Sequence, residues 1–446
     1  MTTAASPPRY LQPTYSRTPS YSAEPRVYEQ RLALNARHLP RYTGSFTKKG
    51  GDVTLRLSAQ QDKIDLPVYG TGSVVEGTVE ILKTKDISTV EVRVEGRLQL
   101  KEIAEGGNST TSLCLDTTIL YIRNDRNAVC PSSLPFSLTL PTSFVYNGRT
   151  YPLPPSHSIK LKGFPGFYAT IDYSVSAIIN KPNSVPNIVP LVKSRMLGIN
   201  IGSTTVSTPF IHYPRTRPAL PIPTPLLRCE GGFIEAPDWK RYDYTLKATK
   251  SKANTQDIQI KLYLPASRIF CVSDKIPFHV TFESTAYTLA AFMPYGPTTG
   301  KVSATKVQLM RQSTVDVRSM STIQPTKTDI WRVDSIGEGV FKHAGDGATW
   351  ISFSGEIEIE PVRVMGFRIA GLSVADCLLF TVTPPDVSKA AFVGVRHMVP
   401  VRLTTDKYTE DGRGIALGDA ATDAADDGVS IPPSPEDDTD LFQHAL

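Results

Sequence analysis

Apolar and polar residues alternate along several stretches of this chain, and this period of two limits the fold more than any other feature. The alternation appears in Val53–Ser58 and Val90–Glu95, and it is longest in Ala169–Ala177. Successive side chains of a β-strand point to opposite faces, so the pattern is typical of strands with one buried face. Turn-forming clusters lie between these stretches, as at Tyr69–Gly72 and Tyr146–Arg149. The sequence therefore predicts half-buried β-strands joined by turns.

The same alternation returns in the second half of the chain, at Ile258–Leu264 and Ile276–Phe282. No stretch in either half has a helical period longer than two turns. A chain of 446 residues is long enough for two or three domains. We therefore predict an all-β protein with two sandwich domains. Further strand candidates in the second half are Val302–Leu309, Ile351–Ile359, Leu378–Val382 and Phe392–Leu403.

Composition predicts where the domains begin and end. The proline-rich stretch 214–225 is expected to be an extended connector, because proline lacks the N–H that a central strand needs. Residues 1–51 carry eight Lys/Arg against two Glu, which predicts a disordered basic tail with a weak helical turn near Glu29–Arg37. Residues 406–446 carry eleven Asp/Glu against two basic residues and are expected to be a disordered acidic tail. The remaining segments give the two sandwiches their boundaries, 52–213 and 226–405.

Several short sequence motifs resemble those of the arrestin family, and of the α-arrestins in particular. They occur in the family's order over about 52–405: Leu66–Val79, Ile87–Gly96, Leu134–Pro141, Leu153–Ser156 and Tyr168–Ile179 in the first half, and Leu262–Pro265, Asp274–Phe278 and Val374–Pro385 in the second. This resemblance implies two arrestin-like, immunoglobulin-type β-sandwich domains. Independently of the family, Gly77 and Gly96 within predicted strands indicate bulges or a close approach of the backbone.

The sequence Pro7-Pro8-Arg9-Tyr10 spells PPxY, which is a ligand of WW domains. The prolines preset a polyproline II strand that packs on aromatic grooves, and the tyrosine adds a flat apolar body with a hydroxyl group. The motif lies in the predicted basic tail, where a partner could reach it. A chance match in a proline-rich tail is the alternative.

A second candidate ligand is the LPxY variant formed by Leu39, Pro40 and Tyr42. A partner with several WW domains could engage both motifs and gain avidity without any new contact. The alternative is again an accidental match. Residues Leu66–Tyr69 also spell LPxY, but they fall in a predicted turn into a strand, where we expect a structural role.

Cargo binding is predicted at Lys160 and Lys162, which lie beside a predicted strand and could face acidic or phosphorylated tails. An ordinary solvated strand face is the alternative. Because the chain is +5 overall despite its acidic end, the predicted body is basic and could also contact an anionic membrane surface. The acidic tail could fold back on this body as a latch or serve only for solubility.

Enzymatic and metal-binding functions find little support. The five cysteines are odd in number and include no C-x-x-C pair, which argues against a disulfide framework or a zinc site. We expect no cofactor. No P-loop, G-x-S-x-G, H-E-x-x-H or dinucleotide motif is present, and the histidines never pair at ligand spacing. The polar start of the chain and the lack of a long apolar run predict a cytoplasmic protein without a signal peptide or a transmembrane helix. We expect no nucleic-acid partner.

The resemblance to α-arrestins implies a non-enzymatic adaptor. Such a protein would bind cytoplasmic tails of membrane transporters or receptors and recruit a WW-domain ubiquitin ligase of the HECT type at the plasma membrane or endosomes. In α-arrestins the PPxY motif lies more often in the C-terminal tail, which has none here. The alternative is an arrestin-fold coat subunit of the retromer type that scaffolds a complex without a ligase.

Overall fold

The described part of the protein is built almost entirely from β-strands. The computed structural model describes residues 28–32, 43–103, 107–125, 129–181, 203–249, 254–297, 304–316, 329–384, 386 and 390–410. Within these ranges, helical structure is limited to α1 (Ala286–Phe292) and one 3-10 turn (Met293–Tyr295). The prediction of an all-β protein is therefore confirmed.

Strands occupy the stretches where the alternation predicts them. The strands of the first half are β1 (Glu29–Leu32), β2 (Gly44–Gly50), β3 (Val53–Gln60), β4 (Val68–Tyr69), β5 (Val74–Ile81), β6 (Thr89–Glu102), β7 (Asn108–Ile122), β8 (Ser133–Thr139), β9 (Ser143–Tyr146), β10 (Arg149–Pro152), β11 (His157–Leu161), β12 (Phe167–Asn180), β13 (Ser203–His212) and β14 (Arg215–Pro218). The second half has β15 (Arg228–Cys229), β16 (Gly232–Phe233), β17 (Trp239–Leu246), β18 (Ile258–Pro265), β19 (Ile269–Cys271), β20 (Lys275–Glu283), β21 (Thr305–Asp316), β22 (Asp329–Asp346), β23 (Trp350–Glu358), β24 (Phe367–Ile369), β25 (Leu372–Val382) and β26 (Val395–Thr404). The three alternating stretches of the first half lie within β3, β6 and β12.

Two sheets of the first half share one hydrophobic core. One sheet has the order β4-β13-β12-β6-β7, with β11 also paired to β12, and the other has the order β2-β3-β5-β8. Leu55 and Val75 from the smaller sheet are buried together with Val92 and Tyr173 from the larger one. This arrangement is consistent with a β-sandwich, in which the apolar faces of two sheets pack together.

The strand glycines have the role that the sequence predicts. Gly96 lies at a register shift between β6 and β7, as a bulge requires. A Cβ atom at Gly96 would stand 2.5 Å from the Tyr173 ring and 2.9 Å from the Cys114 sulfur. At Gly77, a Cβ atom would stand 2.0 Å from the carbonyl oxygen of Arg56. Only glycine allows these close approaches.

One continuous sheet surrounds the core of the second half. Its strand order is β17-β18-β20-β23-β22-β21-β25-β26-β19, with β24 beside β25. The long strand β22 pairs with β21 up to Glu338 and with β23 from Gly339 onwards, so it joins the two parts of the sheet. Phe278 and Phe353 from one part and Phe380 from the other are buried in a common cluster. This half is therefore also consistent with a sandwich.

The described ends of the chain are more ordered than the sequence predicts. Strands β1 and β2 both lie within residues 1–51, so the expectation of a disordered tail is wrong for them, and Glu29–Leu32 is extended and not helical. Within the stretch predicted as an extended connector, residues 215–218 form strand β14, which pairs with β1. At the other end, Asp406 is hydrogen-bonded to Arg215. Strand β2 forms a hairpin with the next strand, β3, whereas β1, β14 and Asp406 have partners that are remote in sequence.

Residues of the second half complete the core of the first. Val315, Ile330 and Leu372 are buried in the same cluster as the first-half core, and they come from the ends of β21, β22 and β25. The side chain of Phe367 packs against that cluster. The two halves therefore meet through apolar side chains that become buried only when the halves are in contact.

Replacing Gly96 with alanine should destabilise the first half. The Tyr173 ring cannot withdraw easily, because its hydroxyl group donates a hydrogen bond of 2.7 Å to the carbonyl oxygen of Pro154. We expect a loss of about 1–3 kcal/mol in the free energy of unfolding, measured in urea, as for an overpacked core. Thr110→Ala on the exposed face of β7 is the control and should change stability by less than about 0.5 kcal/mol. Equal stability of the two variants would contradict the close packing at Gly96.

Candidate functional site

The two candidate WW ligands cannot be placed in the fold. Pro7, Pro8 and Tyr10 lie outside the described residues, and so do Leu39, Pro40 and Tyr42. The third match, Leu66–Tyr69, ends in strand β4, which pairs with β13. The Tyr69 side chain is buried and packs edge-on against Phe210, so the structural role expected for this match is confirmed.

Lys160 lies on an exposed row of side chains that crosses three strands. Lys160 on β11 is paired with Tyr168 on β12, and Tyr168 is paired with Lys101 on β6. Directly paired residues project from the same face of a sheet, and all three side chains are exposed. We call Lys160, Tyr168 and Lys101 the basic row. Lys162 follows β11 and is also exposed.

The basic row has the chemistry of an anion site. The neighbouring row on the same face of the sheet lies two residues away along each strand. It consists of Ser158, Thr170 and Gln99, and none of them carries a negative charge. Two lysines beside an exposed aromatic ring can attract a carboxylate or phosphate and also bind an apolar side chain. Lys101 was not among the predicted residues, because only the register of β6 and β12 brings it near Lys160. The predicted Lys162 has no partner strand.

The N-terminal strand is anchored where the two halves meet. Strand β1 pairs with β14 in an antiparallel ladder, with Glu29 opposite Pro218 and Leu32 opposite Arg215. The amide of Ala219 donates to the carbonyl oxygen of Tyr28 at 2.6 Å, which extends the ladder. A two-stranded ribbon is marginal in water, so side chains have to supply the rest of the stability.

Glu29 supplies part of it through a buried ion pair. Its side chain accepts a hydrogen bond of 3.0 Å from Nε of Arg402 on β26. Glu29 is only 6% exposed, so a charge there requires a partner. The guanidinium of Arg402 also donates to the carbonyl oxygen of Gly366 at 3.1 Å. This pair joins the N-terminal strand to the second half.

The C-terminal end of β26 meets the other side of β14. Nε of Arg215 donates to a carboxylate oxygen of Asp406 at 3.0 Å, and a second nitrogen of Arg215 donates to the other oxygen. The backbone of Thr216 exchanges hydrogen bonds with Thr405. Burial raises the pKa of Asp406, but hydrogen bonds from Arg215 and Thr405 outweigh this effect and leave the pKa below its ordinary value. We call the meeting of β1, β14 and residues 402–406 the junction.

A buried ion pair lies beside the apolar contact between the halves. Arg311 on β21 donates to both carboxylate oxygens of Asp376 on β25, at 2.7 and 2.9 Å, and to the carbonyl oxygen of Val364 at 2.8 Å. The Arg311 and Asp376 side chains are 10% and 1% exposed. Burial and the charge of Arg311 lower the pKa of His157 to about 4, so that ring is neutral near pH 7.

The interface, the junction and the basic row are linked by direct contacts. His157, the first residue of β11, packs edge-on against the Phe367 ring with centroids 5.5 Å apart. Phe367 follows Gly366, whose carbonyl oxygen binds Arg402 of the junction. At the other end of β11, Nη1 of Arg332 donates to the carbonyl oxygen of Lys160 at 3.2 Å. Strand β11 therefore brings Lys160, one end of the basic row, close to the boundary between the halves.

No family model matches this chain, and no curated protein matches it significantly. In the part of the chain that the structure describes, no helix has the length and apolarity to span a membrane. No cluster of three or more potential metal-ligating His, Cys, Asp or Glu residues occurs among the described residues. The basic row and the junction, described above, are the two parts of the candidate site.

Removing the carboxylate of Asp376 should destabilise the second half, where Asp376 on β25 lies opposite Arg311 on β21. Asp376→Asn leaves the Arg311 guanidinium buried without a counter-charge, and we expect a loss of about 3–5 kcal/mol in the free energy of unfolding, measured in urea. The double variant Arg311→Met/Asp376→Leu should regain most of this loss, since an apolar pair has no charge to desolvate.

Glu80→Gln is the control for this experiment. It breaks an ion pair with Arg56 whose side chains are 46% and 40% exposed, for Arg56 and Glu80 respectively. Such pairs contribute about 0–1 kcal/mol. If Asp376→Asn cost no more than Glu80→Gln, the buried pair would not stabilise the second half.

Proposed function

We propose that this chain is a non-enzymatic trafficking adaptor of the arrestin kind. It binds the cytoplasmic tails of membrane transporters or receptors and recruits a WW-domain ubiquitin ligase of the HECT type, at the plasma membrane or endosomes. The cargo is then ubiquitinated and internalised, and the ligase supplies the chemistry. The observation that carries this proposal is a PPxY motif in the same N-terminal segment that β1 anchors at the junction.

The anchoring of β1 limits how far a bound ligase can be from the folded body. The chain between Tyr10 and Tyr28, the first described residue, spans at most about 60 Å when fully extended. Tyr10 therefore cannot be farther than this from the start of the described structure. Leu39–Tyr42 lies between β1 and β2, so it is held at both ends by strands. A ligase bound to either motif therefore stays near the two halves and near whatever they bind.

The basic row supplies the proposed cargo surface. Lys101, Tyr168 and Lys160 suit an acidic or phosphorylated peptide, because the ammonium groups attract its charge and the ring packs against a neighbouring side chain. Strand β11 lies at the boundary between the halves, so a tail bound there is close to the junction from which the motif-bearing segment extends.

Tyr10→Ala should abolish most of the ligase binding. We expect the affinity of a WW-domain array from a HECT-type ligase for the full-length chain to fall about 30-fold, as for the loss of an aromatic anchor worth about 2 kcal/mol. Tyr42→Ala should cause a smaller loss through reduced avidity. Tyr21→Ala, in the same segment but outside both motifs, is the matched control. Isothermal titration calorimetry measures all four proteins.

Two results would contradict the proposal in different ways. No binding by wild type would reject ligase recruitment and favour the alternative of a coat-type scaffold with the same fold. Binding that survives Tyr10→Ala unchanged would place the ligase elsewhere on the chain. An unchanged affinity for Tyr42→Ala would reject only the bivalent use of the two motifs.

Charge reversal on the basic row should weaken cargo binding. Lys101→Glu/Lys160→Glu should lower the affinity for a synthetic doubly phosphorylated peptide by about tenfold at 0.1 M salt, and it should flatten the salt dependence of binding. Lys85→Glu, an exposed lysine outside the row, is the control. Fluorescence anisotropy with labelled peptide gives both quantities. Equal affinities of the double variant and wild type would remove the row from the cargo site.

A further inference from the structure

The connector between the halves contains a second ligand-like sequence, Arg215-Thr-Arg-Pro-Ala-Leu-Pro221. Arg215, Pro218 and Pro221 are spaced three residues apart. A polyproline II helix has three residues per turn, so these side chains would lie along one edge of it. Aromatic grooves that bind such helices read two prolines at this spacing, and a flanking arginine suits an acidic pocket beside the groove. The connector has no Pro-Pro-x-Tyr sequence, so its pattern differs from that of a WW ligand.

The downstream half of this sequence is open to solvent. Pro221 is exposed, and the apolar side chains of Leu220 and Ile222 are 45% and 37% exposed. Thr224 and Pro225 continue the exposed stretch. The prolines fix their own φ angles, so a partner that binds this stretch has little chain entropy to remove. Exposed aliphatic side chains between prolines are what an aromatic groove accommodates.

The upstream half is covered by the two ends of the described chain. Pro218 is buried and lies opposite Glu29 in the β1–β14 ladder. The Arg215 guanidinium is bound to both carboxylate oxygens of Asp406. Two of the three anchor residues are therefore engaged within the molecule, and the third is free for a partner.

We propose that residues 215–225 are a docking site for a partner domain with an SH3-type groove, and that β1 controls access to this site. The groove's aromatic pockets take Pro218 and Pro221, and its acidic pocket takes Arg215 in place of Asp406. Full engagement requires β1 to leave β14. The ion pair between Glu29 and Arg402 opposes that departure, so the apparent affinity is reduced by the small fraction of molecules in which β1 is undocked.

This proposal does not depend on ligase recruitment. The SH3-type site is in the connector, whereas the WW ligands lie in the N-terminal segment, so Tyr10→Ala should leave SH3 binding unchanged. The two ideas can therefore fail separately. They are nevertheless related in space, because the strand that covers the connector belongs to the segment that carries Pro7–Tyr10.

The test is binding of the full-length chain to a panel of purified SH3 domains by surface plasmon resonance. Glu29→Lys places two like charges together at Arg402 and should release β1, so we expect at least one domain to bind this variant tenfold or more tightly than wild type. Adding Pro221→Ala to Glu29→Lys should abolish that binding. Pro223→Ala, which is outside the three-residue spacing, is the matched control and should retain it.

A charge swap distinguishes release of β1 from general unfolding. Glu29→Arg/Arg402→Glu restores an ion pair of opposite polarity and should return the affinity towards that of wild type. Deletion of residues 1–32 should have the same effect as Glu29→Lys, with circular dichroism confirming that both variants remain folded.

Three results would overturn the proposal. If no domain of the panel bound any folded variant, the connector would not be an SH3 ligand. Binding that survived Pro221→Ala would place the SH3 contact elsewhere on the chain. Equal affinities of wild type and Glu29→Lys would show that β1 does not control access.

Discussion

The backbone of β14 holds three remote parts of this molecule together. On one side it pairs with β1, and on the other Thr216 exchanges hydrogen bonds with Thr405. Each contact is reinforced by an ion pair, Glu29 with Arg402 and Arg215 with Asp406. A connector with free ends would let the two halves move independently. Here the connector is fixed on both sides, so the relation between the halves depends on polar contacts as well as on the apolar interface.

These polar contacts favour a specific arrangement more than they favour stability. Removing charged groups from water costs several kcal/mol per ion, and a well-placed counter-charge recovers roughly that amount. Glu29 with Arg402 and Arg215 with Asp406 therefore penalise wrong arrangements, in which one charge would remain unpaired. The apolar contribution comes from residues such as Ile330 and Leu372, which are buried in the core of the first half. The apolar contact reaches β11 through Phe367, which packs against His157.

Local sequence patterns predicted the sheets because the longer strands carry their own signal. The alternation in β12 is visible without knowledge of β6 or β13, and Gly96 marked a close approach that the structure contains. Strand β1 carries no such signal. Its sequence, Glu-Gln-Arg-Leu, is polar and becomes a strand only because Arg402 and β14 lie beside it. The basic row was half predicted for the same reason, since Lys101 joins Lys160 only through the register of β6 and β12.

The adaptor proposal and the SH3 inference both depend on where the N-terminal strand is. With β1 docked, the motif-bearing segment starts from the boundary between the halves, and exposed side chains of the connector begin at Leu220. With β1 released, the segment has a longer reach, and Pro218 is uncovered. The position of β1 would then affect partner binding both at the WW ligands of the N-terminal segment and at residues 215–225 of the connector.

Hydrogen–deuterium exchange measured by mass spectrometry tests this account most directly, in the full-length chain and in a chain lacking residues 1–32. The account predicts that peptides covering residues 28–32 and 215–219 are protected together in the full-length protein. It also predicts that the deletion accelerates exchange in residues 215–219, because the amide of Ala219 loses its acceptor on Tyr28. Immediate exchange of residues 28–32 in the full-length protein, with residues 215–219 unaffected by the deletion, would contradict the docking of β1 on which the account depends.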